Sequence, residues 1–296
     1  MVLKEIQHIF YKALDAIYGR DEVNSFFFLA TEHYLNFPRF QLTLQPEFTL
    51  SKAETAVFFK LLEDLKQQIP IQYILGETEF YGLTFKVNEN VLIPRPETEE
   101  LVDLIIKEHA LSSVKKPLRI LDIGTGSGCI AIGLAKNLPN AEVYAIDISK
   151  DALKIAKQNA ILNAVNITFI EADILAVTTV LNLVNNELPE TDFLFDIIVS
   201  NPPYVRQLEK KEIQPNVLEN EPHLALFVTD LNPLIFYKAI TNFAINNLKQ
   251  KSKLYFEINQ YLGEDTKQLL VQANFKDIEL LKDLNGNDRV LKALKD

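Results

Sequence analysis

Residues 118–128 read Leu-Arg-Ile-Leu-Asp-Ile-Gly-Thr-Gly-Ser-Gly, and residues 129–135 continue with Cys-Ile-Ala-Ile-Gly-Leu-Ala. The first six residues are mostly apolar and predict a buried strand, and the last seven are typical of a helix. The alternating glycines between them predict a turn that a ligand can approach closely, because glycine has no Cβ. Open α/β sheets bind ligands at the carboxyl ends of their strands. The stretch therefore predicts a ligand-binding α/β fold.

Further strand-like runs lie downstream at helix-length intervals, which is the pattern of a parallel, doubly wound sheet. The predicted strands are Leu118–Ile123, Glu142–Ile146, Ile167–Ile170, Asp196–Val199 and Lys253–Ile258.

The part of the chain before this sheet predicts a small helical domain. An apolar stripe at helical spacing runs from Ile6 to Ile17, and the apolar stretch from Val23 to Leu35 predicts a second helix. Ser51 and Glu54 have the spacing of a capping box that begins another helix, with Val57, Leu61 and Leu65 on one face. We expect a helical domain at residues 1–75, a β-hairpin linker at 76–94 and the α/β domain at 95–296.

Composition limits the possible functions. The chain of 296 residues has a formal net charge of -10, which disfavours a general nucleic-acid binder and favours a protein partner. No apolar run approaches the roughly 20 residues of a membrane span, and we expect a cytoplasmic protein without a signal peptide. We expect the single cysteine, Cys129, to pack its helix against the sheet. The four histidines lack metal-ligand spacing, so we expect no metal.

Acidic residues near the ends of three predicted strands indicate which ligand the turn binds. A dinucleotide site prefers G-x-G-x-x-G, whereas here the glycines alternate and follow Asp122, which suits the ammonium group of a methionine moiety. Asp147 is placed to accept hydrogen bonds from ribose hydroxyls, and Asp173 from an adenine amino group, with Ile174 covering the ring. The predicted ligand is S-adenosylmethionine, and its predicted contacts are Asp122, Gly124, Thr125, Gly126, Ser127, Gly128, Asp147, Asp173, Ile174 and Asn201.

The predicted methyl-acceptor site is Asn201-Pro202-Pro203-Tyr204, directly after the strand at 196–199. An amide nitrogen is a poor nucleophile, and activating it requires acceptors that hold both of its N–H groups. The Asn201 side-chain oxygen and the Pro202 carbonyl can supply them, since paired prolines fix the backbone and leave carbonyls free. Tyr204 offers a flat face for a planar amide or base. The segment predicts methyl transfer to a planar nitrogen.

Several motifs together resemble the release factor glutamine N5-methyltransferases, the PrmC/HemK family, over nearly the full length. The resemblance implies a Rossmann-like class I methyltransferase sheet with a small N-terminal helical domain joined by a β-hairpin. The segments that show the resemblance are Pro70 to Gly76, Phe80-Tyr81-Gly82, Ile93 to Glu99, Asp122 to Gly128, Asn201 to Val205, Glu221-Pro222 and a closing hairpin at Asp283 to Arg289.

The resemblance also implies a reaction and a partner. The substrate would be the glutamine of the Gly-Gly-Gln loop of peptide chain release factors, gripped by the N-terminal domain, and Arg95 and Thr98 would line the cofactor pocket or pack the hairpin. The tetrad Asn201-Pro202-Pro203-Tyr204 alone is shared with N6-adenine nucleic-acid and ribosomal-protein methyltransferases, which remain the alternative. A non-catalytic adaptor that binds the nucleoside is a third possibility, disfavoured by the intact tetrad.

Two segments depart from the family pattern, which usually carries glycines there. They are the residues around Asn232-Pro233 and the run Glu257-Ile258-Asn259-Gln260. We expect both to lie away from the catalytic edge.

Overall fold

The computed structural model describes residues 1–109, 117–176 and 193–296. These residues form two compact units. Unit 1 comprises Met1–Gly76 together with Gln214–Asn220, and unit 2 comprises Glu77–Ile213 with Glu221–Asp296. In these ranges no helix combines the length and the apolar character that crossing a bilayer requires.

Unit 1 is helical. The Ser51 hydroxyl accepts a hydrogen bond from the Glu54 N–H, and the Glu54 carboxylate accepts one from the Ser51 N–H, which confirms the capping box. The unit contains α1 (Leu3–Tyr18), α2 (Arg20–Leu35), α3 (Arg39–Leu44), α4 (Lys52–Lys66), α5 (Ile71–Leu75) and a later helix, Pro215–Asn220.

The core of unit 1 is built from aromatic and aliphatic side chains of α1, α2 and α4. Phe10 and Phe27 meet edge to face with 5.5 Å between ring centroids. The predicted apolar stripes are wrong at one position each: Ile17 is 46% exposed and Val57 is 38% exposed. Ile17 lies in the last turn of α1, and Val57 lies on the margin of its stripe, where a helix face turns toward solvent.

Unit 2 is a seven-stranded sheet with helices. Its strands are β3 (Arg119–Ile123), β4 (Glu142–Asp147), β5 (Ile167–Glu171), β6 (Phe195–Ser200), β9 (Leu248–Glu257), β10 (Lys276–Lys282) and β11 (Asp288–Leu294). Their order in the sheet is β5-β4-β3-β6-β9-β11-β10. The shorter strands are β1 (Glu77–Phe80), β2 (Leu83–Lys86), β7 (Val205–Arg206) and β8 (Phe227–Val228). The helices of unit 2 are α6 (Pro96–His109), α7 (Cys129–Asn137), α8 (Lys150–Leu162), α10 (His223–Leu226), α11 (Ile235–Asn247) and α12 (Gly263–Gln272). The helix Pro215–Asn220, which belongs to unit 1, is α9.

The topology of the sheet determines where a ligand can bind. Strand β3 pairs in parallel with β4 on one side and with β6 on the other. The strand order therefore reverses at β3, and such a switch point leaves a crevice beyond the carboxyl ends of the strands. The glycine turn, Gly124 to Gly128, follows β3, and the Asn201 turn, Asn201 to Tyr204, follows β6. The fold therefore brings the two predicted sites to one edge of the sheet.

The strand pattern predicted a parallel sheet, but the sheet is not wholly parallel. Strand β11 runs antiparallel to β9, and β10 runs antiparallel to β11. A tight connection makes this possible: the Asp283 carboxylate accepts hydrogen bonds from the N–H groups of Asn285 and Asn287 and from Arg289 Nε. Antiparallel neighbours need only such a turn, whereas parallel ones need a crossover. This is the closing hairpin that the resemblance implied.

The predicted hairpin forms from β1 and β2 and belongs to unit 2. Tyr81 and Gly82 both have positive φ, as the two central residues of a type I′ turn require. The side chain of Asn159 on α8 accepts from the Lys86 N–H at 2.6 Å and donates to the Lys86 carbonyl at 2.9 Å. Asn159 thus completes the edge of the hairpin and fixes it to the α/β unit.

Candidate active site

The glycine turn between β3 and α7 has the backbone geometry that its sequence predicted. Gly124, Gly126 and Gly128 all have positive φ, which side-chain-bearing residues rarely adopt. A Cβ added at Gly124 or Gly126 would meet nothing within 4 Å, so both face open space. At Gly128 a Cβ would lie 3.0 Å from Ile132 and 3.2 Å from Ala156. The first two glycines open the turn to a ligand, and the third allows close helix packing.

Asp147 ends β4 beside this turn. One carboxylate oxygen accepts from the Gly126 N–H at 2.8 Å, and the other accepts from the Ser149 N–H at 2.9 Å. Burial raises the pKa of Asp147, and the N–H groups of Ser149, Gly126 and Ile148 oppose that rise. Each oxygen keeps a further lone pair, so the carboxylate can still accept from ribose hydroxyls.

A cavity lies at this edge and brings together most of the predicted site. The Asp173 carboxylate accepts from the Leu175 N–H at 2.9 Å, while Ile174 is buried against the core. The predicted residues that line the cavity are Gly124, Gly126, Asp147, Asp173, Ile174, Asn201, Pro202 and Pro203. The remaining predicted residues lie outside its lining: Asp122, Thr125, Ser127, Gly128, Tyr204, Arg95 and Thr98.

Asp122 lies beneath the turn, with its side chain fully buried. Its carboxylate accepts from the Thr125 hydroxyl at 2.6 Å. Burial raises the pKa of Asp122 to about 7, against the effect of the Thr125 hydroxyl and the Ala131 N–H. The carboxyl group therefore braces the turn from inside, and its pairing with an ammonium group stays a prediction.

The Asn201 turn begins where β6 ends. Asn201 lines the cavity and donates from Nδ2 to the Thr98 hydroxyl at 3.3 Å. Pro202 and Pro203 also line the cavity, and the role of the Pro202 carbonyl as an acceptor stays a prediction. Tyr204 packs against the sheet core and donates its hydroxyl to the Glu257 carboxylate at 3.1 Å. The ring of Tyr204 is thus held from its far end by the protein.

Glu257 is the functional candidate that the sequence analysis missed. It ends β9, is buried, and accepts from the Thr98 hydroxyl at 2.6 Å as well as from Tyr204. Burial raises its pKa, while the Thr98 hydrogen bond, the Arg289 charge and the Tyr204 hydrogen bond lower it. An acidic residue at the carboxyl end of a strand was the signal that revealed Asp147. The predicted strand continued to Ile258, which hid this signal at Glu257.

Thr98 and Arg95 lie in the Ile93 to Glu99 segment but make different contacts. Thr98 is buried between Asn201 and Glu257. Arg95 forms an ion pair of 2.6 Å with the buried carboxylate of Glu221, which also accepts from the Ile93 N–H. Arg95 therefore packs its own segment onto Glu221.

One of the two departures from the family pattern touches the tetrad, contrary to expectation. The Asn259 side chain is buried and donates to the Tyr204 carbonyl at 3.0 Å and to the Glu209 carboxylate. A glycine there could make neither bond. The other departure, at Asn232, lies in a turn in which its N–H donates to the Thr229 carbonyl.

Sequence comparisons place relatives along the whole chain. A family model described as a methyltransferase domain matches residues 114–258, and one described as the PrmC N-terminal domain matches residues 14–76. A release factor glutamine methyltransferase of Flavobacterium psychrophilum is 55% identical and covers 99% of both chains. The protein of that name from Bacteroides thetaiotaomicron is 42% identical over 95% of this chain and 96% of its own.

Among solved structures, the similarity is one of fold. A 16S rRNA methyltransferase from T. thermophilus, in complex with AdoMet and guanosine, matches with a TM-score of 0.50 at 18% identity, covering 74% of this chain and 50% of that chain. A human methyltransferase 10 domain containing protein matches with a TM-score of 0.50 at 17% identity, covering 73% and 89%.

Proposed function

The chain belongs to the release factor glutamine methyltransferases, and we propose that its sheet-edge cavity binds S-adenosylmethionine next to the glutamine that receives the methyl group. The enzyme methylates the side-chain amide nitrogen of a glutamine in peptide chain release factors, with S-adenosylmethionine as the methyl donor. The alternative, an N6-adenine nucleic-acid or ribosomal-protein methyltransferase, is not favoured, because full-length relatives carry the release-factor name.

The residues around the glycine turn fit this cofactor. Gly124 and Gly126 leave open space where other residues would carry a side chain, and both line the cavity. Asp147 stands at the end of β4 with its orientation fixed by two backbone N–H groups, as a ribose ligand requires. Asp173 and Ile174 follow β5 at the next strand end, where they would hold the adenine. When bound, S-adenosylmethionine supplies an activated methyl group and its own leaving group.

The Asn201 turn fits the acceptor amide. Asn201 Oδ1 and the Pro202 carbonyl would each accept one N–H of the glutamine side chain and hold its plane. Fixing both hydrogens orients the nitrogen for in-line attack, and such positioning supplies much of the rate of a group transfer. The turn therefore needs no titrating nucleophile. Preorganised acceptors in a partly buried cavity also act more strongly than the same groups in water.

The remaining parts of the proposal concern the domains and the location. Residues 1–75 would bind the release factor, which is supported by the match of residues 14–76 to the PrmC N-terminal domain. The hairpin at 76–94 would join them to the methyltransferase domain at 95–296. A cytoplasmic location is supported by a partner that acts in translation and by the single, buried cysteine, as expected in a reducing compartment.

The observation that carries the proposal is the meeting of Gly124, Asp147 and Asn201 in the wall of one cavity. The test is to incubate the enzyme with purified release factor and labelled S-adenosylmethionine, and to locate the label by mass spectrometry. We expect the label on the Gly-Gly-Gln glutamine, and none on a factor that carries Gly-Gly-Ala. Equal labelling of both factors, or transfer to DNA, RNA or ribosomal protein without labelling of the factor, would refute it.

A further inference from the structure

We infer that Thr98 and Glu257 are positioning residues that set which end of the Asn201 side-chain amide faces the acceptor. The inference rests on the proposed role of Asn201 and adds to it a buried chain of hydrogen bonds. Asn201 Nδ2 lies 3.3 Å from the Thr98 hydroxyl, which in turn lies 2.6 Å from the Glu257 carboxylate.

The direction of this chain follows from counting hydrogens. A threonine hydroxyl has one hydrogen, and an ionised carboxylate can only accept. The Thr98 hydrogen is therefore directed at Glu257, and the hydroxyl oxygen is left to accept from Asn201. Only the Nδ2 end of the Asn201 amide can donate, so that end turns toward Thr98. The Oδ1 end is then presented to the cavity.

A second donor keeps Glu257 in the accepting role. Thr98 donates to one carboxylate oxygen and Tyr204 to the other. Two hydroxyl donors for two oxygens match an ionised carboxylate, whereas a protonated one would have to direct its own hydrogen at one of them. The Tyr237 hydroxyl donates to the Glu257 carbonyl at 3.2 Å, which also holds the main chain at this residue.

The orientation matters because the acceptor amide has two N–H groups and no nitrogen lone pair to spare. With Oδ1 toward the cavity, Asn201 can accept one of those hydrogens. With the amide reversed, two N–H groups would face each other, and one of the two acceptors that hold the glutamine would be lost. Leaving a buried donor without a partner is costly, so the reversed state would bind the acceptor poorly in the transition state.

The same carboxylate also ties both ends of the tetrad together. Glu257 is hydrogen-bonded to Tyr204 directly and to Asn201 through Thr98. It is therefore linked to the residues on both sides of Pro202-Pro203. The three elements involved are the start of α6, the turn after β6 and the end of β9. Their convergence makes the orientation of Asn201 a property of the folded unit rather than of the local turn.

The test compares Thr98→Val with Thr98→Ser in methyl transfer to the release factor. Valine matches the shape of threonine but lacks the hydroxyl, and serine keeps it. We expect Thr98→Val to lower kcat about 20-fold and Thr98→Ser to stay within about threefold of the parent. The Kd of S-adenosylmethionine should remain close to the parent value in both, while Thr98→Val should lower the melting temperature, because it leaves a buried Glu257 oxygen without its donor. Equal kcat values for the two variants would overturn the inference.

A double-mutant cycle separates a positioning role from a general structural one. If Thr98 acts through Asn201, adding Thr98→Val to Asn201→Ala should cause no further loss of kcat, because contacting residues that act as a unit are not additive. A full additional 20-fold loss in the double variant would overturn the inference. If Asn201→Ala itself leaves kcat unchanged, the proposed function of the tetrad fails, which is a distinct result.

Glu257→Gln provides the second arm. A glutamine side chain carries both a donor and an acceptor, so it can no longer force the Thr98 hydrogen toward itself. We expect a loss of kcat of about tenfold, larger than the change in KM for the factor. A folded Glu257→Gln protein with parental kcat would contradict the inference. Should this variant fail to fold, the Thr98 pair and the cycle still decide.

Discussion

The two halves of the site are built in different ways. On the cofactor half, Gly124 to Gly128 lie in one turn, and Asp147 is held by N–H groups of that turn and of its own loop. On the acceptor half, Asn201 is held through Thr98 and Glu257. Thr98 lies 103 residues before Asn201 in the sequence, and Glu257 lies 159 residues after Thr98. The first half depends on backbone geometry, and the second on buried side-chain hydrogen bonds.

This difference predicts different consequences of substitution. A change on the cofactor half should alter ligand affinity, because its groups contact parts of the ligand that do not react. A change on the acceptor half should alter kcat, because its groups act on the nitrogen that is being activated.

The largest expected effect is that of Asn201→Ala. We expect a loss of kcat of roughly 100-fold, equivalent to about 3 kcal/mol, as found when one preorganised group is removed from an oxyanion hole. The Kd of S-adenosylmethionine should change far less, although Asn201 lines the cavity. Steady-state kinetics and calorimetric titration measure the two quantities.

The matched control for this prediction is Asn246→Ala, which removes an exposed asparagine whose side chain donates to the Asn242 carbonyl in its own helix. It should leave kcat unchanged. A loss below about tenfold for Asn201→Ala would refute the role given to it and would place the rate-determining contacts elsewhere.

Asp147→Ala should weaken cofactor binding by about 30-fold, or about 2 kcal/mol, the scale of a hydrogen bond to a charged group. At saturating cofactor, kcat should fall by no more than a few-fold. Asp147→Asn is the informative companion, since it keeps one acceptor oxygen for the Gly126 N–H. A large loss of kcat with parental Kd would reverse the division between the two halves.

The cofactor half should also respond to pH. Burial raises the pKa of Asp122 to about 7 and raises that of Asp147 above its ordinary value. A raised pKa means that each carboxyl group takes up its proton at a higher pH than a free aspartate. Protonation removes an ionised acceptor, so the Kd of S-adenosylmethionine should rise as the pH falls through 7.

Calorimetric titration at pH 8, 7 and 6 measures this dependence, and Asp122→Asn should flatten it near pH 7. A Kd that stays constant or falls on acidification would contradict the assignment of these carboxyl groups. On the acceptor half Asn201 and Thr98 do not titrate, but burial also raises the pKa of Glu257, so acidification should act there on kcat rather than on the Kd of S-adenosylmethionine.

The same contrast explains what the sequence could and could not reveal. The glycine turn, Asp147 and Asp173 could be placed because each lies at the end of a strand that its own apolar run predicts. The role of Thr98 could not be found in this way, since it depends on Glu257 from a strand far along the chain. The parallel sheet was predicted correctly for five strands, and the antiparallel pair escaped the pattern because a turn at Asp283 replaces a crossover helix.

Asn259 gives the smallest and most local test of the acceptor half. Its side chain supports the Tyr204 carbonyl and the Glu209 carboxylate, in a segment, Glu257 to Gln260, where family members usually carry glycine. Asn259→Ala removes both bonds while Glu257 still holds Tyr204, so we expect a loss of kcat of about fivefold, or about 1 kcal/mol, with parental cofactor Kd. Asn259→Gly should behave like Asn259→Ala, because Asn259 is not among the positive-φ residues and gains nothing from glycine. If both variants instead lose cofactor affinity at constant kcat, the turn after β6 belongs energetically to the cofactor half, and the division between the two halves fails at this residue.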